Sequence, residues 1–185
     1  MIIENPDPNI FVIKNFIDKE HALTLVELAN SASPDDWSNY NYTDRDEHNE
    51  WEDRVLLLDQ CINFTDEKNK IVSELFSKIK KEINLILHKD IYEYTVMSAI
   101  YRSVIGQSMK THSDDGPSPK FKYGIVLYLN DDYEGGEIFY PNIGLEFKPE
   151  AYSLVLHPAH QAYRHGVKEV SSGTRYSMTT FLKLK

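Results

Sequence analysis

The chain has 185 residues, 41% of them apolar, which suits a single domain over 1–185 with a core of its own. Twenty basic against 29 acidic residues leave a net charge of −9, so nucleic acids and anionic membrane surfaces, which demand cationic patches, are set aside as main partners. Cys61 is the single cysteine and rules out an internal disulfide; the start "MIIENPDPNIFVIKNF" lacks the basic head and long apolar stretch of a signal peptide, and no apolar run approaches the ~20 residues of a membrane span, so a soluble, cytoplasmic protein is expected.

An apolar strand is expected over Ile10 to Phe16. Asp18 then offers an N-cap for a helix whose apolar positions Ala22, Leu25, Val26, Leu28 and Ala29 recur at helical spacing, ending near Ser31 to Pro34. The segment "SPDDWSNYNYTDRDEHNEWEDR", residues 33 to 54, is dense in acidic and aromatic groups. Two readings stay open for it. It is either a solvated loop or a flap over a substrate, the second because Trp37, Tyr40, Tyr42 and Trp51 are costly to leave in water unless they cover something. A second helix starts at about Thr65, with Asp66 and Glu67 in its first turn and Ile71, Leu75, Ile79, Ile83, Ile86 and Leu87 along one face. From Tyr92 onward the chain changes to short runs of Tyr, Val, Ile, Phe and Thr broken by turn residues, about eight strand candidates in all. The expectation is a mainly β protein, a jelly roll or double-stranded β-helix of cupin type over about 91–185, buttressed by helical support over about 17–90.

"GQSMKTHSDDGPSPK", residues 106 to 120, sets His112 two positions before Asp114. In a strand, residues two apart project to the same side, so the imidazole and the carboxylate would reach out together. That pair suits a divalent first-row metal, and a third imidazole would complete a 2-His-1-carboxylate triad that leaves open positions on iron. By itself the tripeptide is also compatible with an Asp that caps a turn beside a surface His. The tail "LHPAHQAYRHGVKEVSSGTRYSMTTFLKL" supplies His157, His160 and His165 as candidates for the third ligand; His165 is preferred and His160 is the reserve. His21 and His88 fall on or beside the helices as boundary residues, and His48 has no assigned role.

A hairpin is expected after His165, turning at Ser171–Ser172–Gly173. It would set Glu169 opposite Arg175 and place Arg175 roughly 13 Å from His165, at ~3.3 Å per residue. A dicarboxylate spanning that gap would chelate the metal at one end and meet the forked guanidinium at the other, with the Ser177 hydroxyl on the same face. A buried arginine in a β core would be expensive without such a partner.

The ordered set "HSD" at 112–114, "GGEIFYP" at 135–141, "HGV" at 165–167 and "GTR" at 173–175 resembles the 2-oxoglutarate- and iron(II)-dependent oxygenases, in particular their prolyl 4-hydroxylase-like branch. The likeness covers roughly residues 92 to 184, and "NFIDKEHALTLVELA" resembles the branch's opening strand and helix. It implies that His112, Asp114 and His165 hold Fe(II), that Arg175 binds the distal carboxylate of 2-oxoglutarate, that Tyr128 donates a hydrogen bond to the same carboxylate, and that Tyr101 lies beside the cosubstrate. O2 would be the second cosubstrate, with ascorbate as a candidate reductant. Met109 stands where many members carry a tyrosine, which shifts cosubstrate hydrogen bonding toward Tyr128, and Arg175 stands where the branch often has lysine. An intact Asp114 implies a hydroxylase, because halide-using members replace that carboxylate with a small residue. The implied substrate is a peptide, a protein or a small molecule, with peptidyl proline or another amino-acid side chain foremost, and the products are succinate, CO2 and the hydroxylated substrate. The rival readings are a cupin-like metal-binding or sensory module without turnover, which would need no anchor such as Arg175, and a metal dioxygenase or isomerase that uses no 2-oxoglutarate.

Overall fold

In the computed structural model the described residues are 2–38, 54–57, 66–88, 92–95, 99–115 and 121–184. In chain order they form β1 (Ile2–Asp7), β2 (Ile10–Lys14), α1 (Lys19–Ser31), β3 (Trp37–Ser38), β4 (Val55–Leu57), α2 (Asp66–Leu87), β5 (Tyr92–Thr95), β6 (Ala99–Ser103), β7 (Met109–His112) and β8 (Phe121–Tyr128). There follow β9 (Glu134–Gly135), β10 (Ile138–Tyr140), β11 (Leu145–Phe147), β12 (Leu154–Pro158), β13 (His165–Val167), β14 (Val170–Ser172) and β15 (Arg175–Leu184). Every pairing is antiparallel. The major sheet runs β1-β2-β12-β8-β15-β6-β4-β3, with β5 also on β15; the minor sheet runs β11-β10-β13-β7; β14 and β9 pair separately.

The helices form where the local signals place them. Asp18 caps α1, its Oδ1 accepting from the His21 backbone N–H at 2.9 Å, and Ala22, Leu25, Leu28 and Ala29 are buried. In α2 the buried row is Val72, Leu75, Ile79 and Ile83, while Ile71, Ile86 and Leu87, expected on that face, are half-buried at its margins. His88 follows the helix exposed, with φ +49°, and His21 is an exposed partner of Asp18. Among the described residues no helix is long and apolar enough to cross a membrane.

Alternation along the strands gives the major sheet two unlike faces. Ile125 and Leu127 of β8, Leu154 and Leu156 of β12, Met178 and Leu182 of β15, Ile100 of β6 and Trp37 of β3 belong to the core shared with α1 and α2. Each such side chain, fully buried, contributes roughly 1.5–3 kcal/mol. The intervening residues, Val126 and Tyr128 of β8, Val155 of β12 and Val12 of β2, pack against Ile138 and Tyr140 of β10 and Leu145 and Phe147 of β11 in the minor sheet. Helices therefore cover one side of the major sheet and the minor sheet covers the other.

Three expectations are corrected. Eleven strands, not eight, lie beyond residue 90 among the described residues, because the β10, β11, β13 and β14 pieces are only three residues each. Ser171 and Ser172 belong to β14 and the chain bends only at Gly173, φ +76°, so no hairpin closes between Glu169 and Arg175. β14 pairs with β9 instead, and β15 enters the major sheet between β8 and β6. Finally, β7 ends at His112, so Asp114 sits in the turn that follows.

Candidate active site

His112 and His165 are direct cross-strand partners in the minor sheet, the last residue of β7 opposite the first of β13, with ring centroids 4.6 Å apart. Two clips hold the approach to β13 against β7. Arg164 donates to the Thr111 carbonyl at 2.7 Å, and Gln161 donates to the Ser113 hydroxyl at 2.6 Å. The turn after β7 brings Asp114 back under the two rings, its Oδ1 3.5 Å from His112 Nε2 and 3.8 Å from His165 Nε2. Strand parity is thus not what makes His112 and Asp114 converge; the turn does it.

The tautomers follow from the backbone. His112 Nδ1 lies 3.0 Å from the Lys110 carbonyl oxygen and His165 Nδ1 lies 3.2 Å from that of Tyr163, so each Nδ1 carries the proton it donates. That leaves both Nε2 lone pairs aimed at Asp114 Oδ1, and the three atoms lie within 4.8 Å of one another, a group that could hold a metal ion. Burial drives the His165 pKa down to about 3, with neighbouring His157 acting in the same direction. For Asp114 burial acts upward, but His112, His165 and His157 more than offset it and hold the carboxyl at about 2. At neutral pH Asp114 is a carboxylate beside a neutral His165 imidazole, the protonation states that metal ligation requires of these two groups.

Across the cleft the major sheet presents a second polar group. Ser177 of β15 pairs with Tyr101 of β6 on one side and Tyr128 of β8 on the other, so the three form one row across three strands. Arg175, two residues from Ser177 and on its face, is 4% exposed, donates from Nη1 to Ser177 Oγ at 3.1 Å, and has its Cζ 4.8 Å from the Tyr128 ring centroid. No carboxylate among the described residues pairs with it. Arg175 Nε and the hydroxyls of Tyr128, Tyr133 and Tyr140 are all buried with no hydrogen-bond partner. Burial pushes the Tyr133 and Tyr140 phenols up, so both keep their protons as donors. Tyr133 stands close to the guanidinium: a Cβ on Gly136 would fall 2.9 Å from the Tyr133 ring and 3.3 Å from Arg175 Cδ. Lys148 holds that tyrosine, with Nζ 4.3 Å from the ring centroid and a hydrogen bond to the Tyr133 carbonyl.

Residues 96–183 match the family model of the 2OG-Fe(II) oxygenase superfamily. Over this stretch the chain is similar to that superfamily. It is 32% identical over 126 residues to a PKHD-type hydroxylase of Prochlorococcus marinus (strain NATL1A), covering 62% of this chain and 55% of that protein, so it spans little more than half the length of this curated relative. Among solved structures it resembles the viral collagen prolyl hydroxylase of Paramecium Bursaria Chlorella virus-1 in its 2OG complex, at TM-score 0.68 and 16% identity over 96% of both chains. It also resembles a Pseudomonas putida prolyl-4-hydroxylase, at TM-score 0.65 and 14% identity over 96% of this chain and 93% of that one. At these identities the likeness is one of fold, the double-stranded β-helix expected from the strand pattern.

The matched family implies Fe(II), 2-oxoglutarate and O2, and the residues present fit the first two. Two imidazoles and a carboxylate are a donor set for Fe(II), with an Nε2 of each ring and an oxygen of the carboxylate turned to a common centre. A buried guanidinium and three phenol donors, all lacking acceptors, fit a carboxylate-bearing ligand, because leaving such groups unpaired costs ~1–3 kcal/mol each.

The site also contains residues to which sequence reasoning gave a different role or none. His157, one of the three candidates for the third ligand, lies inside β12, fully buried, its Nε2 3.8 Å from Asp114 Oδ2. The strand simply runs through Pro158, paired with Tyr123 at its end. The available signal was a histidine closing the apolar run "SLVLHP". Tyr133 and Tyr140 were hidden among twelve tyrosines that alternation alone sorts only into faces. His160 is exposed and caps the short 3-10 turn Gln161–Tyr163, its Nδ1 accepting from the Ala162 N–H at 3.3 Å. Of the 33–54 segment, Trp37 is a buried core residue under the Arg102 guanidinium, 3.6 Å from its ring centroid, rather than a flap aromatic. Arg54 is also buried and donates to the Ser108 carbonyl at 3.0 Å. Tyr40, Tyr42, His48 and Trp51 lie outside the described residues.

Proposed function

We propose that the protein is a 2-oxoglutarate- and Fe(II)-dependent dioxygenase that hydroxylates an unactivated C–H bond, acts on peptidyl proline or another amino-acid side chain, and releases succinate and CO2. In this reading His112, Asp114 and His165 hold the metal through Nε2, Oδ1 and Nε2. Arg175 and Ser177 take the distal carboxylate of 2-oxoglutarate, Tyr128 donates its hydroxyl to that carboxylate, and Tyr101 stands beside them in the same row. Iron, when bound, supplies the O2 activation. The chain's own residues do the rest: the Lys110 and Tyr163 carbonyls fix both imidazole tautomers, burial keeps His165 neutral, and the paired sheets exclude water from the guanidinium.

The observation that carries the reading is Arg175, a buried cation with an orphaned Nε and no carboxylate partner among the described residues, on the sheet that faces the His–Asp–His group. A metal-binding module without turnover has no use for such a cation, and burying it would be pure cost. The proline preference is supported by the prolyl hydroxylases among its structural neighbours. The test incubates the iron-loaded protein with peptide and amino-acid libraries, follows O2 uptake with and without 2-oxoglutarate, and reads added oxygen by mass spectrometry. Uptake that requires 2-oxoglutarate, with one added oxygen on a peptidyl side chain, is expected. O2 uptake indifferent to 2-oxoglutarate would return the protein to the cofactor-independent reading.

A further inference from the structure

We infer that His157 is a positioning residue for Asp114, with its Nε2–H turned toward the carboxylate oxygen that faces away from the two imidazoles. The two oxygens of Asp114 have different surroundings. Oδ1 is the one near His112 Nε2 and His165 Nε2, at 3.5 and 3.8 Å. Oδ2 turns toward the major sheet, where His157 Nε2 lies 3.8 Å away. His157 stands directly opposite Gly124 in the pairing of β12 with β8, and that glycine makes the approach possible. A Cβ at position 124 would fall 2.2 Å from Asp114 Oδ2 and 2.8 Å from His157 Nε2, inside both groups. Two strands of the major sheet have thus been shaped, one by a missing side chain and one by an imidazole, to receive a carboxylate carried on the minor sheet.

Packing alone does not account for an imidazole here. His157 is 0% exposed, sits edge-on to His165 with centroids 4.4 Å apart and edge-on to Tyr140 at 5.7 Å, and neither of its nitrogens has a partner within hydrogen-bond distance among the described residues, Asp114 Oδ2 standing 3.8 Å from Nε2. An apolar side chain would fill the space without burying two polar atoms. On the Oδ2 side no cation would stand between ring and carboxylate, so the inferred tautomer has the His157 proton on Nε2, whereas the His112 and His165 lone pairs face Oδ1 across the place a metal would fill. With Oδ2 turned to His157, the carboxylate would present Oδ1 to a bound metal. Outer partners of this kind are typically worth about 10- to 100-fold in metal affinity.

The inference rests on the proposed metal site, and the experiment separates the two. Cobalt(II) alone is titrated without O2 into the full chain, and affinity is read from its visible absorption, in the parent, Asp114→Ala, His157→Phe and His157→Gln. The expected result is loss of binding in Asp114→Ala, a roughly 10- to 100-fold weaker affinity in His157→Phe, and near-parent affinity in His157→Gln, which restores an N–H donor at that reach. Parent-like binding in Asp114→Ala would overturn the metal site itself. A normal Asp114→Ala loss with parent-like affinity in His157→Phe, or equal weakening in the Phe and Gln variants, would leave the metal site standing and overturn the role of His157. A measurement on the parent keeps the inference testable should the Phe variant fail to fold. Long-range proton–nitrogen NMR correlations must show His157 with its proton on Nε2, and a proton on Nδ1 alone would overturn it.

Discussion

The two polar clusters that face each other across the cleft are built by opposite means. The His–Asp–His group on the minor sheet is supported from nearby in sequence: His112 and His165 each donate Nδ1–H to a carbonyl two residues earlier. The Arg175 group is assembled largely from afar: Ser177, which accepts from the guanidinium, shares β15 with it, but Tyr128 arrives on β8 and Tyr133 from the segment between β8 and β9. The first cluster is preorganised for a cation by its own backbone. The second has donors in surplus and is complete only with an anion. Cation and anion binding should therefore separate by mutation.

Removing the β13 imidazole should have the largest effect. His165→Ala is expected to lose both iron retention and succinate formation, checked by metal content after desalting and by product release; full activity would move the third ligand to His160. Next comes Arg175→Met, which should raise the 2-oxoglutarate requirement about 10- to 150-fold, the equivalent of ~1.5–3 kcal/mol for charge-assisted hydrogen bonds. Iron affinity should stay near the parent's, since Arg175 is not in the triad. Arg175→Lys should cost less, keeping the charge but forfeiting the fork. Unchanged 2-oxoglutarate dependence in the methionine variant would erase the contrast between the clusters.

Protonation sharpens the contrast from the other side. The His165 pKa is held near 3 against an ordinary 6.5, so between those values the unfolded chain binds a proton that the folded chain refuses. The metal-free protein should then lose stability as pH falls through that window, by ~1.4 kcal/mol per pH unit for each such histidine. Buried His157, also shifted downward, acts in the same direction. Denaturant midpoints of the metal-free protein measured from pH 7 to 4 test this, and a flat profile would mean that the rings are not held neutral by burial. The smallest expected effect is that of Tyr133→Phe, which removes one neutral donor beside Arg175. It should weaken 2-oxoglutarate binding only ~2- to 10-fold, for ~0.5–1.5 kcal/mol, without altering metal affinity.

Much of this was legible from residues close together in the chain. Asp18 announces α1 because an N-cap is a contact over three residues, and α2 shows itself by a row repeating at helical spacing. His112 and Asp114 could be paired on spacing, although the reason is a turn and not a shared strand. The Arg175 geometry was not legible. A hairpin from β14 into β15 follows the local turn signal at Gly173, yet the two strands on either side of that turn join different sheets.

The sequence by itself determined the residues that bear the chemistry, the helix starts, the β-rich second half and the alternation that gives each strand an apolar and a polar side. These depend on contacts a few residues long, with periods fixed by backbone geometry. Only the tertiary structure decided which sheet each strand enters, and so which groups meet. It placed Arg175 across the cleft from His165 rather than along a ladder from it, put His157 and Gly124 behind Asp114, and gathered Tyr128, Tyr133 and Tyr140 as donors without acceptors. Sheet partners are chosen by which long-range pairing buries both apolar faces at once, between the helices on one side and the minor sheet on the other, and a short strand carries no local mark of that choice.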